Sequence, residues 1–248
     1  MVADLETSEL KADKDNGGTA LATSEVLVAE PQAYRPLLAV HLRRAAVVVI
    51  LLTILVLAIL ALRYAHQEAA GRLDRALDIY IRSHLRQEQS LTDALISLAD
   101  PLQAAILLVA LAGAAALARR WSGVMLLLGG TLTAVVISEV ILKPLVGRLR
   151  YGHLTFPSGH ATAMAAIATA ILLIGAQRSR GGALRLCASL VAIVVAASVA
   201  IALVAQHVHY VTDTVAGCCV AVVVVLTMAL GLDFLAPRIR SRYWAGFR

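Results

Sequence analysis

Charge is scarce in this sequence. Only 15% of its 248 residues are charged, against about a quarter in a soluble globular domain, and this argues against a soluble fold. Cysteine is nearly absent: Cys187, Cys218 and Cys219 are the three. They lie inside apolar stretches without a spaced pattern, so no disulfide framework and no cysteine metal site is expected. Small packing residues are the favoured reading. A cleavable signal peptide is not expected either, because the first apolar run begins late, after an acidic leader, with no small-residue cleavage site behind it. There is no internal repeat, and no ion-coupling charge lies mid-span apart from Glu139, which is placed near the end of its run, so transport is disfavoured.

What the chain has in abundance is apolar sequence, at 60% with a mean hydropathy of +0.80. Six runs, 45–62, 102–118, 121–142, 161–176, 186–205 and 214–232, are each close to the ~20 residues that cross a bilayer as a helix. The expected fold is an all-α polytopic membrane bundle of six transmembrane helices. Residues 1–30 hold seven acids and two lysines, a balance of −5 that leaves +11 on the rest. Residues 1–40 therefore read as a disordered acidic cytoplasmic leader, 41–236 as the membrane domain, and 237–248 as a basic cytoplasmic tail.

Arginines orient the bundle. Arg35, Arg43 and Arg44 precede the first run, Arg119 and Arg120 follow the second, Arg178, Arg180 and Arg185 follow the fourth, and Arg238, Arg240, Arg242 and Arg248 end the chain. With six spans all of these fall on one side, the expected cytoplasmic side. The other side receives 63–101, 143–160 and 206–213. Within the first of these, Leu73, Leu77, Ile81 and Leu85 recur every four residues, and Leu91, Leu95 and Leu98 continue the pattern to 98. An amphipathic helix is expected over 71–98, lying at the membrane surface or packed over the ends of the bundle.

The second outer segment ends in TFPSGHATAM, poor company for lipid. Lys143, Arg148 and Arg150 put three cations just ahead of it. Alone they read as a basic loop at the membrane edge. Pro157-Ser158-Gly159-His160 adds a helix cap at Ser158, a glycine that admits close approach at 159, and helix-start amides that attract an anion. His160 at that mouth has the chemistry to protonate a departing oxygen. In the third segment His209 and Asp213 are four apart, which on a helix puts them on one face. An aspartate there orients the imidazole and leaves its other nitrogen as nucleophile or base; a structural histidine–carboxylate pair is the alternative. A metal site on His207, His209 and Asp213 is a further alternative.

Together these segments resemble the type 2 phosphatidic acid phosphatase superfamily of membrane lipid phosphatases. Lys143 and Arg150 have the Lys-x6-Arg spacing of its first motif, with Tyr151 where a proline would follow. Residues 157–160 match the second motif in full. His209 and Asp213 match the end of the third, whose Ser-Arg start is replaced by Ala202 and Leu203. The resemblance implies hydrolysis of a lipid phosphate or pyrophosphate without metal or other cofactor. His209 is then the nucleophile that carries a phosphohistidine, Asp213 orients it and His160 is the general acid. Lys143, Arg150, Ser158 and Gly159 hold phosphate, and Arg148 is expected to take the place of the missing arginine. Gln206 and His207 are further candidates for that place; His153 reads as a solvated loop histidine, and Glu139 as a partner of Lys143 or Arg148. The implied partners are a lipid phosphate and the bilayer, not nucleic acid, with the site on the outer face of the cell membrane. A catalytically impaired lipid-phosphate binder of the same fold is the rival reading, motivated by Leu203.

Overall fold

The computed structural model describes residues 36–85, 87–177 and 182–245. Most of the acidic leader and the last three residues of the basic tail lie outside these, as do Arg178 and Arg180 of the orientation argument. The described residues belong to one compact unit, Tyr34–Arg248.

The molecule is a helical membrane bundle. Helix α1 (Val40–Tyr64) leads to α2 (Arg72–Leu85), α3 (Gln89–Ala99) and α4 (Pro101–Leu117). Helix α5 (Trp121–Val146) follows, then a hairpin of β1 (Leu149–Arg150) and β2 (His153–Leu154). Helices α6 (Gly159–Ala176), α7 (Gly182–Ala205) and α8 (Val211–Ala245) complete the chain. Among the described residues five helices are long and apolar enough to cross a membrane: α1, α5, α6, α7 and α8 up to Leu235. The expected second span corresponds to α4, which meets α3 at 61° around Asp100; the bent pair taken together would make a sixth. Pro101 explains the break, since it suits a helix start and has no N–H to continue α3.

Helix α6 is the centre of the bundle, packed against α7, α8 and α5. Of its most apolar window 56% is buried, against 6% for α1. Ala161, Ala165, Ala166, Ala168 and Ala170 are buried along it; small side chains let neighbouring backbones approach where lipid supplies little hydrophobic drive. Helix α1 packs on α8. Its entry is held by Asp233, whose carboxylate accepts the N–H groups of Leu37 at 2.7 Å and Leu38 at 2.9 Å. Helix α5 contains two π-helical turns, Leu126–Gly130 and Ile137–Leu142. Such turns re-aim side chains inside a helix and favour functional sites; the second carries Glu139 and runs into Lys143.

The expected continuous helix over 71–98 is instead two helices, α2 and α3. The polar side of α2 is the one that faces the bundle. Asp74 and Asp78 are buried against the bundle, while Leu73 and Leu77 are exposed. The period was right, but buried cations on the bundle, described below, decide which side turns inward.

Candidate active site

Three loops meet at one end of the bundle. The first leaves α5 at Gly147, whose φ of +61° closes the helix in the left-handed conformation that glycine takes without strain. Beyond it the chain is tied to the end of α1: the Leu149 N–H donates to Gln67 O at 3.1 Å and the His66 N–H to Val146 O at 2.9 Å. The hairpin pairs Arg150 with His153 through a two-residue turn, Tyr151 (φ 50°) and Gly152 (φ 79°). Two positive φ values are the mark of a tight turn matched to strand twist. They also account for the missing proline of the first motif, because proline is locked near −65° and cannot occupy position 151 here.

The second loop delivers His160. Ser158 caps α6 by accepting the Ala161 N–H at 3.4 Å, after a cis Phe156–Pro157 peptide. The Ser158 N–H donates to Asp213 O at 3.0 Å, joining the start of α6 to the start of α8. Gly217 makes that closeness possible: a Cβ there would lie 2.6 Å from Ser158 O and 2.9 Å from Thr162 Oγ1.

His209 and Asp213 are in the third loop, but not on one helix as the spacing implied. His209 lies in the bend before α8 and Asp213 in its first turn. Asp213 Oδ2 accepts the Tyr210 N–H at 3.0 Å, the backward half of a capping box, and lies 3.7 Å from His209 Nδ1. The His209 ring is buried, and its Nδ1 makes no hydrogen bond. Asp213 Oδ1 accepts from Arg148 Nη1 at 2.6 Å, so the carboxylate is held from two sides.

Arg148 departs from expectation. It is 0% exposed, between the rings of Tyr64 and Tyr210 at 4.2 and 4.3 Å. Its Nη1 also donates to Thr212 Oγ1 at 2.7 Å, and its Nη2 donates to Asp74 Oδ2 at 2.6 Å. With both terminal nitrogens engaged by carboxylates, Arg148 anchors Asp213, and its buried Nε has no hydrogen-bond partner. The position of the missing arginine, Leu203, is packed with Ala161, Met164 and Val199 at 0% exposure. Gln206 donates to Thr92 and Asp93 on α3, and His153 is exposed on the hairpin.

Arg150 is buried yet under-used. One nitrogen is 3.9 Å from Asp78, the guanidinium lies 4.1 Å over Tyr210, and its Nε and Nη1 have no hydrogen-bond partner. Two buried donors without acceptors are costly. Asp78 also meets Arg82 at 3.8 Å, and Arg82 Nη1 contacts His207 Nδ1 at 2.6 Å. Burial pushes the Asp78 carboxyl up, with Arg150 and Arg82 opposing it. His207 is pushed down, first by desolvation and then by Arg82 and Arg150. Burial likewise raises Tyr210, whose hydroxyl donates to Glu68 O at 3.3 Å. Asp74, Asp78, Arg82 and the two tyrosines are site residues that sequence reasoning missed. The i,i+4 pair of acids on α2 was the available signal.

His160 and Lys143 share a cavity of about 320 Å³ between α4, α5 and α6. Most of its wall is apolar, including Ala104, Leu108, Leu132 and Ile167; Glu139, Lys143 and His160 form its polar part. His160 Nε2 is 3.6 Å from Asp100 Oδ1, at the bend between α3 and α4, and its ring lies within electrostatic reach of His209 and Lys143. Lys143 Nζ donates to Glu139 Oε2 at 2.7 Å. Among the described residues no three His, Cys, Asp or Glu side chains converge as metal ligands.

Residues 149–234 match the model of the PAP2 superfamily, a stretch that begins after Lys143 and contains Arg150, His160, His209 and Asp213. No curated protein matches the chain. The fold is similar to the crystal structure of the first transmembrane PAP2 type phosphatidylglycerolphosphate phosphatase from Bacillus subtilis. The two are 21% identical, with a TM-score of 0.59 over 74% of this chain and 95% of that one. Residues 149–234 of this membrane protein thus resemble the PAP2 superfamily, and its fold resembles that of a transmembrane PAP2-type phosphatase.

Proposed function

We propose that the chain hydrolyses a lipid phosphate or lipid pyrophosphate through a phosphohistidine, without a metal. The observation that carries this reading is the fixed Asp213 beside His209: one carboxylate oxygen is tied to Arg148 and the other to the Tyr210 amide, 3.7 Å from His209 Nδ1. An imidazole oriented at Nδ1 presents Nε2 as nucleophile. Nε2 attacks phosphorus, and the bond to the leaving oxygen breaks as His160 gives that oxygen its proton. Water then attacks the phosphohistidine, His160 takes the water's proton, and inorganic phosphate leaves. Arg150, Lys143 and the first amides of α6 stabilise the equatorial oxygens, the main task in phosphoryl transfer. The apolar cavity beside His160 accepts the start of the hydrocarbon chain. The relative named above acts on phosphatidylglycerolphosphate; that substrate, phosphatidate and polyprenyl phosphates are all within the proposed class. By the arginine rule the site faces outward from the plasma membrane and both termini are cytoplasmic.

The test is phosphate release from a panel of lipid phosphates by the purified protein, with and without EDTA, beside His209→Ala and His160→Ala. Release that survives EDTA, disappears in His209→Ala and leaves acid-labile phosphate on the wild type is the expected result. Leu203 supports a second reading, a lipid-phosphate binder without turnover, because no guanidinium stands at that position. Folded protein that binds these lipids and releases nothing decides for it.

A further inference from the structure

Glu139 sits where an anion is wanted. Its Oε2 accepts from Lys143 Nζ at 2.7 Å. Its Oε1 lies against Gly159, so near that a side chain at 159 would run into it. The same carboxylate thus reaches a proposed phosphate ligand with one oxygen and the N-terminus of α6 with the other. Helix starts and lysines both attract anions, and here an internal one serves both. The π-turn over Ile137–Leu142 carries Glu139, and the carboxylate lines the same cavity as His160. A phosphate that uses Lys143 and the Gly159 amide must displace it.

Building on the phosphatase reading, we infer that Glu139 is a built-in competitor for the phosphate site. It neutralises Lys143 between turnovers, weakens the hold on phosphate and returns to expel the product. Glu139 touches the binding groups without taking part in the proton transfers. It is a residue that sets phosphate affinity, and its removal tightens binding where loss of a catalytic group would abolish turnover. An ordinary i,i+4 surface pair is worth little and predicts no such tightening.

The experiment measures inhibition of lipid-phosphate hydrolysis by inorganic phosphate in wild type and Glu139→Gln, each with and without Lys143→Met. Glu139→Gln is expected to lower Ki for inorganic phosphate about tenfold, the scale of one charge-assisted hydrogen bond, and to lower KM for the lipid. In the Lys143→Met background the same change is expected to shift Ki by less than about twofold, because the contested group is gone. A Ki that is unchanged or raised in Glu139→Gln overturns the inference. Glu139→Asp, which withdraws the carboxylate by one methylene, gives the same readout if the glutamine variant does not fold. If the wild type releases no phosphate, the phosphatase reading falls and Glu139 is judged on thermal stabilisation by inorganic phosphate. A larger shift in Glu139→Gln then supports it, and an equal shift overturns it.

Discussion

Arg148 shows how one buried cation ties the parts of a site together. It is flanked by two aromatic faces and bonded to two carboxylates, with no exposure. Breaking one partner of a buried pair costs about 3–5 kcal/mol, because the other charge is stranded. Arg148→Ala is therefore expected to lower thermal stability sharply. Arg148→Lys is the more informative change: lysine keeps the charge but not the planar fork that reaches both Asp74 and Asp213. Its expected effect is a fall of ~10- to 100-fold in kcat as His209 loses its orientation, with KM within about threefold. A large KM effect at constant kcat would restore Arg148 as a phosphate ligand. His207 gives a pH prediction. Its folded pKa lies below the ordinary 6.5, through burial and then Arg82 and Arg150. In the window below 6.5 the unfolded chain takes up the proton first, so this contribution to stability is complete above the window and lost as pH falls. Between about pH 7 and about pH 5 the melting temperature of wild type should drop more than that of His207→Gln.

At the scale of elements, the site depends on α2 facing inward and on α8 pressing against α6. Gly217 is the point of closest approach, with Ser158 O and Thr162 Oγ1 in the space a Cβ needs. Neither a backbone carbonyl nor a buried threonine yields easily. Gly217→Val is expected to cost about 1–3 kcal/mol of stability as an overpacking change. It should also part Ser158 from Asp213 and so misalign His160 against His209. The check is a kcat loss of at least about tenfold in protein that still elutes as folded. Local pattern made much of this scale legible: the apolar runs and the helix start at Ser158 are each written in a few adjacent residues. The inward face of α2 was not, because periodicity gives a helix a polar and an apolar side without saying which is buried. The answer lies 74 residues away in Arg148, and a pairing at that distance leaves no local trace. The helical placement of His209 failed for a related reason. A spacing of four fits a helix, but it also fits a cap in which Asp213 reaches back to the Tyr210 amide.

At the scale of the whole molecule, the 61° bend between α3 and α4 lies beside a cavity between α4, α5 and α6. The cavity beside His160 is walled by Ala104 and Leu108 of α4, Leu132 of α5 and Ile167 of α6. Its polar groups gather where Lys143 and His160 are. A soluble phosphatase has no use for an apolar wall there, whereas a lipid with its headgroup at His160 must put its first methylenes somewhere. Each methylene buried contributes about 0.8 kcal/mol, so a few of them amount to a hundredfold in affinity. Ala104 is buried and faces this space, and a larger side chain there narrows it without touching a polar group. Ala104→Phe is therefore expected to raise KM about tenfold for a long-chain lipid phosphate. It should leave turnover of a short, water-soluble phosphate ester within about twofold. Equal loss on both substrates would mean that the bulk disturbs α4 and the site together, and the hydrocarbon chain would then have to leave the headgroup by another side of the bundle.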